Sequence, residues 1–449
     1  MRDLTIGSIP RHIVAMATPI AVGMLVQTLY FFVDLYFVAG LGDAALAGVS
    51  SAGIINFIVM ALTQMLSVGA VTLISHAVGR KDQAEANLVF NQTIVLSAIC
   101  GFATLIAGYA FTSWYMHSLG ADAATVEAGI TFLYYLIPGL ALQFALAAAG
   151  GALRGTGVAK PAMLAQMVTV LINILLAPVL ITGWGTGHAM GVAGAGLATS
   201  IASFAGVLIM LFYFKKVEHY VRVEVTQLHP NWSIWKRLLN IGLPAGAEFL
   251  FMFIFMAVIY SIIRDFGAAA QAGFGLGSRI MQAIFLPVMA ISFAIAPIAG
   301  QNFGARLAQR VRATIWTAIM IETLPMALLA LLCQFEPRWL IHFFTTDAEV
   351  IDVAVQFLRI ISWNFVATGI IFACSGMFQA LGNTWPSLIS MATRVFTFAF
   401  PAIWLSHQAE FTLNQVWYLS VATVWLQAAL SLVLVRQQLN QRLATFNED

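Results

Sequence analysis

The sequence predicts an all-α polytopic membrane protein of twelve transmembrane helices, built as two pseudo-symmetric six-helix bundles. Hydrophobic residues make up 61% of the chain and charged residues only 9%, against about 25% charged residues in a soluble domain. Apolar runs of spanning length alternate with short polar joints from end to end. The second half also repeats the first at a constant offset.

The runs fall at about 12–39, 47–76, 88–112, 124–152, 161–182 and 190–214, then at about 237–263, 270–300, 311–334, 350–379, 386–405 and 413–435. They are too long and uninterrupted to be barrel strands of ~10 residues. Residues 1–19 contain no signal-peptide h-region followed by a small-residue cleavage site, so the first run is expected to be a retained helix. Cys100, Cys333 and Cys374 all lie within apolar runs, which argues against a disulfide framework. A net charge of +2 without a basic tract gives no reason to expect a nucleic-acid partner.

Loop charge predicts the orientation. Arg2, Arg11, Arg80, Lys81, Arg154, Lys160, the 215–237 linker, Arg306, Arg310, Arg312, Arg436 and Arg442 put 16 of the 21 Lys and Arg residues on one side. The positive-inside rule then makes both termini and the linker cytoplasmic. The linker is the only long polar stretch, and it divides the chain into expected lobes 1–219 and 220–449.

Residues 19–48 (PIAVGMLVQTLYFFVDLYFVAGLGDAALAG) and 244–273 (PAGAEFLFMFIFMAVIYSIIRDFGAAAQAG) align at an offset of 244 − 19 = 225. The same offset pairs Gly42 with Gly267, Gly79 with Gly304, Gly151 with Gly376, Gly157 with Gly382 and Pro161 with Pro386. Six spans per repeat give both halves the same orientation, the parallel-repeat plan of a transporter. A duplicated membrane enzyme or receptor is the plainer alternative.

AVGRKDQAEAN after the second span, GQNFGARLAQR after the eighth and GALRGTGVAKP before the fifth resemble the MATE family, the multidrug and toxic-compound extrusion transporters. The Pro19-to-Asp34 spacing, and Asn173 with Pro178, resemble it too. The resemblance covers essentially the whole chain. It implies V-disposed bundles that export organic cations or other amphiphiles against inward H⁺ or Na⁺. It also implies that Asp34 is the proton or cation site, with Asn173 and Thr199 nearby, and that Pro19 is a bending point. Two positions depart from the family's branches. Ala177 stands where proton-coupled archaeal-type members place a second acid, and Thr368 is nearest to the tenth-span acid of the NorM-type branch. Glu248 also falls several residues short of that branch's seventh-span acid, so a proton is the better-supported coupling ion.

A charged group deep in a span costs ~2.5 to 3.5 kcal/mol, so each is a functional candidate. The acids at depth are Asp34, Glu248 and Glu322, and the bases are Arg279, Arg359 and Arg394. Gln27, Tyr30 and Asp34 share one helix face, and Gln166, Thr169 and Asn173 repeat the pattern in the fifth span. Two polar stripes in one bundle predict a hydrated pocket in the first half. Glu248 shares a face with Phe251 and Phe255, which suits a cation pocket with aromatic walls; equally, Arg279 could neutralise it. Glu322 has no polar partner at helical spacing and reads as a structural or protonated acid. The three arginines read either as ion-pairing ties or as a basic cavity for an anionic or zwitterionic substrate. Met60, Met65, Met163, Met167, Met281 and Met289 could line an adaptable pocket, but filling space or facing lipid is the preferred reading. No His or Cys cluster has metal-ligand spacing, so no metal or cofactor is expected beyond the coupling ion.

The expected function is cation-coupled export of organic cations, drugs or other small amphiphiles by alternating access, H⁺ being preferred to Na⁺. The expected state is a monomer in the bilayer of a bacterial inner membrane, with a small-molecule substrate. Export or flipping of anionic or zwitterionic metabolites through an Arg-lined second lobe is the first alternative. A membrane-embedded enzyme is the second, and the sequence offers no clustered nucleophile, His dyad or metal set for it. No GxxxxGK[ST] loop is present to bind ATP.

Overall fold

The computed structural model describes residues 1–119, 122–342, 344–408, 410–444 and 446. Among them, twelve helices are long and apolar enough to cross a membrane. The first six are α1 (Ile9–Ala39), α2 (Asp43–Gly79), α3 (Gln83–Leu119), α4 (Ala123–Gly155), α5 (Lys160–Thr182) and α6 (Val192–Lys216). Then come α7 (Trp232–Ile263), α8 (Ala268–Gly304), α9 (Ala308–Phe335), the short α10 (Pro337–Ile341), α11 (Ala348–Ile361), α12 (Phe365–Ala380), α13 (Trp385–Ser406) and α14 (Leu413–Ala444). The tenth span is interrupted: α11 and α12 join through a 3₁₀ turn at Ser362–Asn364.

Several helices outrun the spans that hydropathy marks. α2, α3 and α8 have 37 residues each, about 55 Å at 1.5 Å per residue, against a hydrocarbon core of ~30 Å. Hydropathy registers only the lipid-facing stretch, whereas backbone hydrogen bonding carries the helix on through polar sequence such as Gln83–Asn87.

The 225-residue offset reappears in the backbone. Lys81 and Arg306, one offset apart, both take a left-handed φ of 60°. Lys81 N–H donates to Val78 O and Asp82 N–H to Ala77 O, while Arg306 N–H donates to Phe303 O and Leu307 N–H to Asn302 O. A β-carbon on Gly151 would stand 2.8 Å from Ser67 O, and one on its mate Gly376 would stand 2.5 Å from Ser292 O, where Ser292 is the mate of Ser67. Each half thus crosses its second and fourth spans at a point where only hydrogen fits. Those two spans are also the most buried in each half.

Two compact units emerge, and they divide the chain differently from the expected 1–219 and 220–449. One comprises Met1–Asp3 and Pro19–Gly246, the other Leu4–Thr18 and Ala247–Asp449. The first part of α1 therefore packs with the C-terminal spans, and the first part of α7 with the N-terminal ones. α1 changes unit at Pro19, and α7 does so within three residues of Pro244, the mate of Pro19. Packing, and not the polarity of the linker, draws the boundary. The first unit is built around Val68, Leu73, Phe90, Leu153 and Ile241, with a second cluster that includes Leu133, Ile137 and Phe144. The second unit gathers Phe274, Phe357, Phe365, Phe398 and Trp417.

The linker is an ordered strap and not a loose joint. Asn91 of α3 donates to Arg222 O at 2.8 Å and accepts from Glu224 N–H at 2.9 Å. Asn87 accepts from Arg222 N–H at 2.6 Å, and Gln92 both donates to His229 O and accepts from Asn231 N–H. One face of α3 thereby pairs with linker backbone at four positions between 222 and 231.

Candidate functional site

The first unit brings three of the expected residues together. Tyr30 on α1 lies 2.9 Å, hydroxyl to hydroxyl, from Thr199 on α6, and Asn173 on α5 donates its amide to Thr199 Oγ1 at 3.2 Å. Thr199 in turn donates to Ala195 O. Since a hydroxyl has one proton and two lone pairs, this bond makes Thr199 Oγ1 the acceptor for both Asn173 and Tyr30. Tyr30 therefore has no proton left for Asp34, which lies one turn on along α1 and close enough to act on it electrostatically.

Two acceptors are consequently unmatched. Asp34 Oδ1 and Asn173 Oδ1 are both shielded from solvent and receive no hydrogen bond. Asn173 is 2% exposed and Thr199 9%. A buried acceptor without a donor costs about 1–3 kcal/mol. The local fold sets the geometry. Asn173 is carried on a short α5 that ends at Gly183 with φ 74°. α6 can press against α5 because a β-carbon on Gly194 would sit 2.5 Å from Leu180 O.

The other polar-stripe residues divide. Gln166 donates to Gln27 Oε1 at 3.0 Å, which joins α5 to α1 beside the site. Thr169 turns inward on its own helix, donates to Ala165 O, and packs against Gly206 of α6. It faces the helix seam and makes no bond to Asn173 or Gln166. Ala177, at the position of the missing second acid, is fully buried and apolar.

The second unit differs from expectation. Glu248 accepts hydrogen bonds from Ser387 and Ser375, on α13 and α12. Phe255 was to be an aromatic wall for an incoming cation, but the chain's own cation occupies that face: the Arg394 guanidinium stands 4.3 Å from its ring centroid. Phe398 packs 4.7 Å away on the same ring, and Phe251 lines the neighbouring core. Arg279 and Arg359 lie on exposed faces of α8 and α11. Arg394 is half-buried, with its Nε lacking an acceptor.

Sequence reading passed over two groups. The Asn87–Asn91–Gln92 face of α3 was signalled by i, i+4, i+5 spacing but lay at the edge of a marked span. The break at Ser362–Asn364 was signalled by a polar Ser-Trp-Asn triplet inside an apolar run. Among the described residues no three His, Cys, Asp or Glu side chains are grouped to hold a metal.

Comparison with known proteins converges on one family. The MatE family model matches residues 19–179 and again 244–405, two matches whose starts are 225 residues apart. The probable multidrug resistance protein YoeA of Bacillus subtilis is 26% identical over 389 residues, covering 84% of this chain and 82% of its own. The multidrug export protein MepA of Staphylococcus aureus is 26% identical, with 81% and 80% coverage. Among solved structures, a multidrug and toxin extrusion transporter in its bent conformation superposes with a TM-score of 0.92 at 26% identity, covering 99% of this chain and 98% of its own.

Proposed function

Given that the chain belongs to the MatE family of multidrug efflux transporters, we propose that it exports small amphiphilic molecules, organic cations foremost, in exchange for protons bound at Asp34. It is a transporter, not an enzyme, and a multi-pass membrane protein. The carrying observation is the pair of unmatched acceptors, Asp34 Oδ1 and Asn173 Oδ1, flanking the Tyr30–Thr199 contact. A single carboxyl among neutral partners suits a proton, which one acid binds completely.

In this reading Asp34 releases its proton towards the cytoplasm and takes another from outside, next to the hydrogen-bonded Tyr30–Thr199–Asn173 group. Pro19, where α1 changes unit, lacks the N–H of a regular helix and is the bending point. One proton moving down 100 mV releases ~2.3 kcal/mol, and each pH unit adds ~1.4 kcal/mol; one titrating group therefore supports several-hundred-fold accumulation of a neutral amphiphile, and about tenfold per pH unit for a monovalent cation exchanged one for one, where the potential cancels. Both termini lie in the cytoplasm, by loop charge. The Arg-lined cavity for anions has less support, since Arg394 is engaged with Phe255.

The test is dye efflux from proteoliposomes with pH and Na⁺ gradients imposed separately. A pH gradient alone should drive efflux, and Asp34→Asn, inserted at normal levels, should lose the driven component. Efflux driven by Na⁺ alone, or full driven efflux in Asp34→Asn, would overturn the proposal.

A further inference from the structure

Glu322 is the acid that the mechanism above leaves idle. It sits on α9 at 2% exposure, and both of its carboxyl oxygens are shielded and without a hydrogen-bond donor. Opposite it on α12 is Gly369, where a β-carbon would lie 3.4 Å from Oε2 and 3.6 Å from Glu322 Cβ. The carboxyl thus occupies a close seam between two helices. An ionised carboxylate there would be uncompensated, and a permanently neutral acid would still leave a donor and an acceptor unmet. A leucine would serve the packing better than either state. The residue makes sense if it passes between the two.

Buried polar groups lie farther along the same two spans. The tenth span breaks at Ser362–Asn364, and Gln334 of α9 reaches across to Ser362 Oγ at 2.7 Å. Asn364 is 3% exposed, and its Oδ1 also lacks a donor. It precedes Gly369 by five residues, about 7 Å along a helix axis. Asn364 Oδ1 and the Glu322 carboxyl are thus two unmatched buried acceptors of the second unit, and Asn364 lies on a different face of the tenth span from Gly369, which meets Glu322.

The surrounding charge leaves Glu322 free to titrate on its own. α12 presents one titratable group, Cys374, which is fully buried and within electrostatic reach of the carboxyl. α8 carries one charge, Arg279, on its exposed face, and α11 carries Glu349, Asp352 and Arg359, all exposed. Arg338 of α10 is bonded to Asp352 at 3.1 Å. α9 itself adds Arg310 and Arg312 at its start and Cys333 near its end.

We propose that Glu322 is a second proton-binding site, held within the second unit and reached along the α9–α12 seam from the break at Ser362–Asn364. The proton leaves the carboxylic acid for water admitted along the seam and returns by the same route. It does not depend on Asp34.

The test is infrared difference spectroscopy of the full chain in lipid, stepping from acid to alkaline buffer. Asp34→Asn with Glu248→Gln removes the other two acids deep in the spans. In that background a protonated-carboxyl C=O band should disappear at alkaline pH, and adding Glu322→Gln should abolish the band change. The proposal fails if the double variant shows no titrating band, or if the triple variant keeps it. Modification by a carbodiimide, read by peptide mass mapping on the unaltered chain, covers the case of a variant that does not fold. Glu322 should be modified in acid and at least tenfold more slowly in alkali; a pH-independent rate, or no modification, overturns the assignment.

Discussion

Removing the hydroxyls that join Tyr30 to Thr199, one at a time and together, tests whether these residues act as a unit. Tyr30→Phe deletes one donor and leaves Thr199 with its Asn173 and Ala195 bonds. A neutral hydrogen bond is worth about 0.5–1.5 kcal/mol net, so the transport rate should fall roughly fivefold. Thr199→Val costs more, because it strips the partner from both the Tyr30 hydroxyl at 2.9 Å and the Asn173 amide at 3.2 Å. Two half-buried donors left unmet at about 1 kcal/mol or more each predict a loss of roughly thirty-fold or greater. The double variant should be less impaired than the product of the singles, because the Tyr30 hydroxyl whose stranding penalised Thr199→Val is gone. The coupling should be about 1 kcal/mol. The assay is initial efflux rate in proteoliposomes at matched protein density. Additivity within about 0.3 kcal/mol would refute the reasoning, since the hydroxyl contact would then have no bearing on transport.

Other consequences are separable. Gly151→Ala should lower the apparent melting temperature in detergent relative to Gly150→Ala by about 4–8 °C, given an overpacking cost of about 2 kcal/mol. A β-carbon on Gly151 meets Ser67 O at 2.8 Å, whereas one on Gly150 meets nothing closer than 3.8 Å; equal melting of the two would contradict the crossing geometry. Asn91→Ala should raise the rate of tryptic cleavage at Arg222 about tenfold, because it removes two bonds to linker backbone at about 0.5–1.5 kcal/mol each. An unchanged cleavage rate would show that the strap is held elsewhere. Lys81→Gly and Arg306→Gly should each stabilise by up to about 1 kcal/mol, since glycine relieves the left-handed strain at φ 60°, an outcome readable as a higher midpoint in thermal unfolding.

Much of the architecture was legible in the sequence because bilayer thickness and backbone hydrogen bonding leave few options for a chain this apolar. Twelve spans, the 225-residue repeat and the first-unit polar stripes all follow from residue type and spacing. Pairing is harder to read. Gln27 and Gln166 meet, yet Thr169, on the same stripe as Gln166, bonds its own helix, because helical spacing fixes a face without fixing which neighbour meets it. Glu248 and Phe255 looked like a cation pocket since nothing in the seventh span reveals that Arg394, some 140 positions on, fills it. The strap on α3 was hidden for the same reason: Asn87, Asn91 and Gln92 bond backbone more than 130 residues away.

The repeat shows that the second half has no counterpart of the Tyr30–Asp34–Asn173 group. At an offset of 225, Asp34 maps onto Ile259, Tyr30 onto Phe255 and Asn173 onto Phe398. Where the first unit keeps a carboxyl, a phenol and an amide with acceptors to spare, the second unit packs Phe255 against Phe398 at 4.7 Å and lays Arg394, the mate of Thr169, over the ring. The scaffold contacts are held in both halves: Ser67 with Gly151 and Ser292 with Gly376, and the left-handed Lys81 and Arg306 turns. The two deep acids of the second unit map onto positions that cannot ionise, Glu248 onto Gly23 and Glu322 onto Ser97. Duplication thus preserved the helix crossings, which tolerate no change where backbone meets backbone, and left the polar interior of each unit free to diverge. A proton site in the second unit has to be a separate construction, and Glu322 in its glycine-lined seam has the burial and the unmet valence for one.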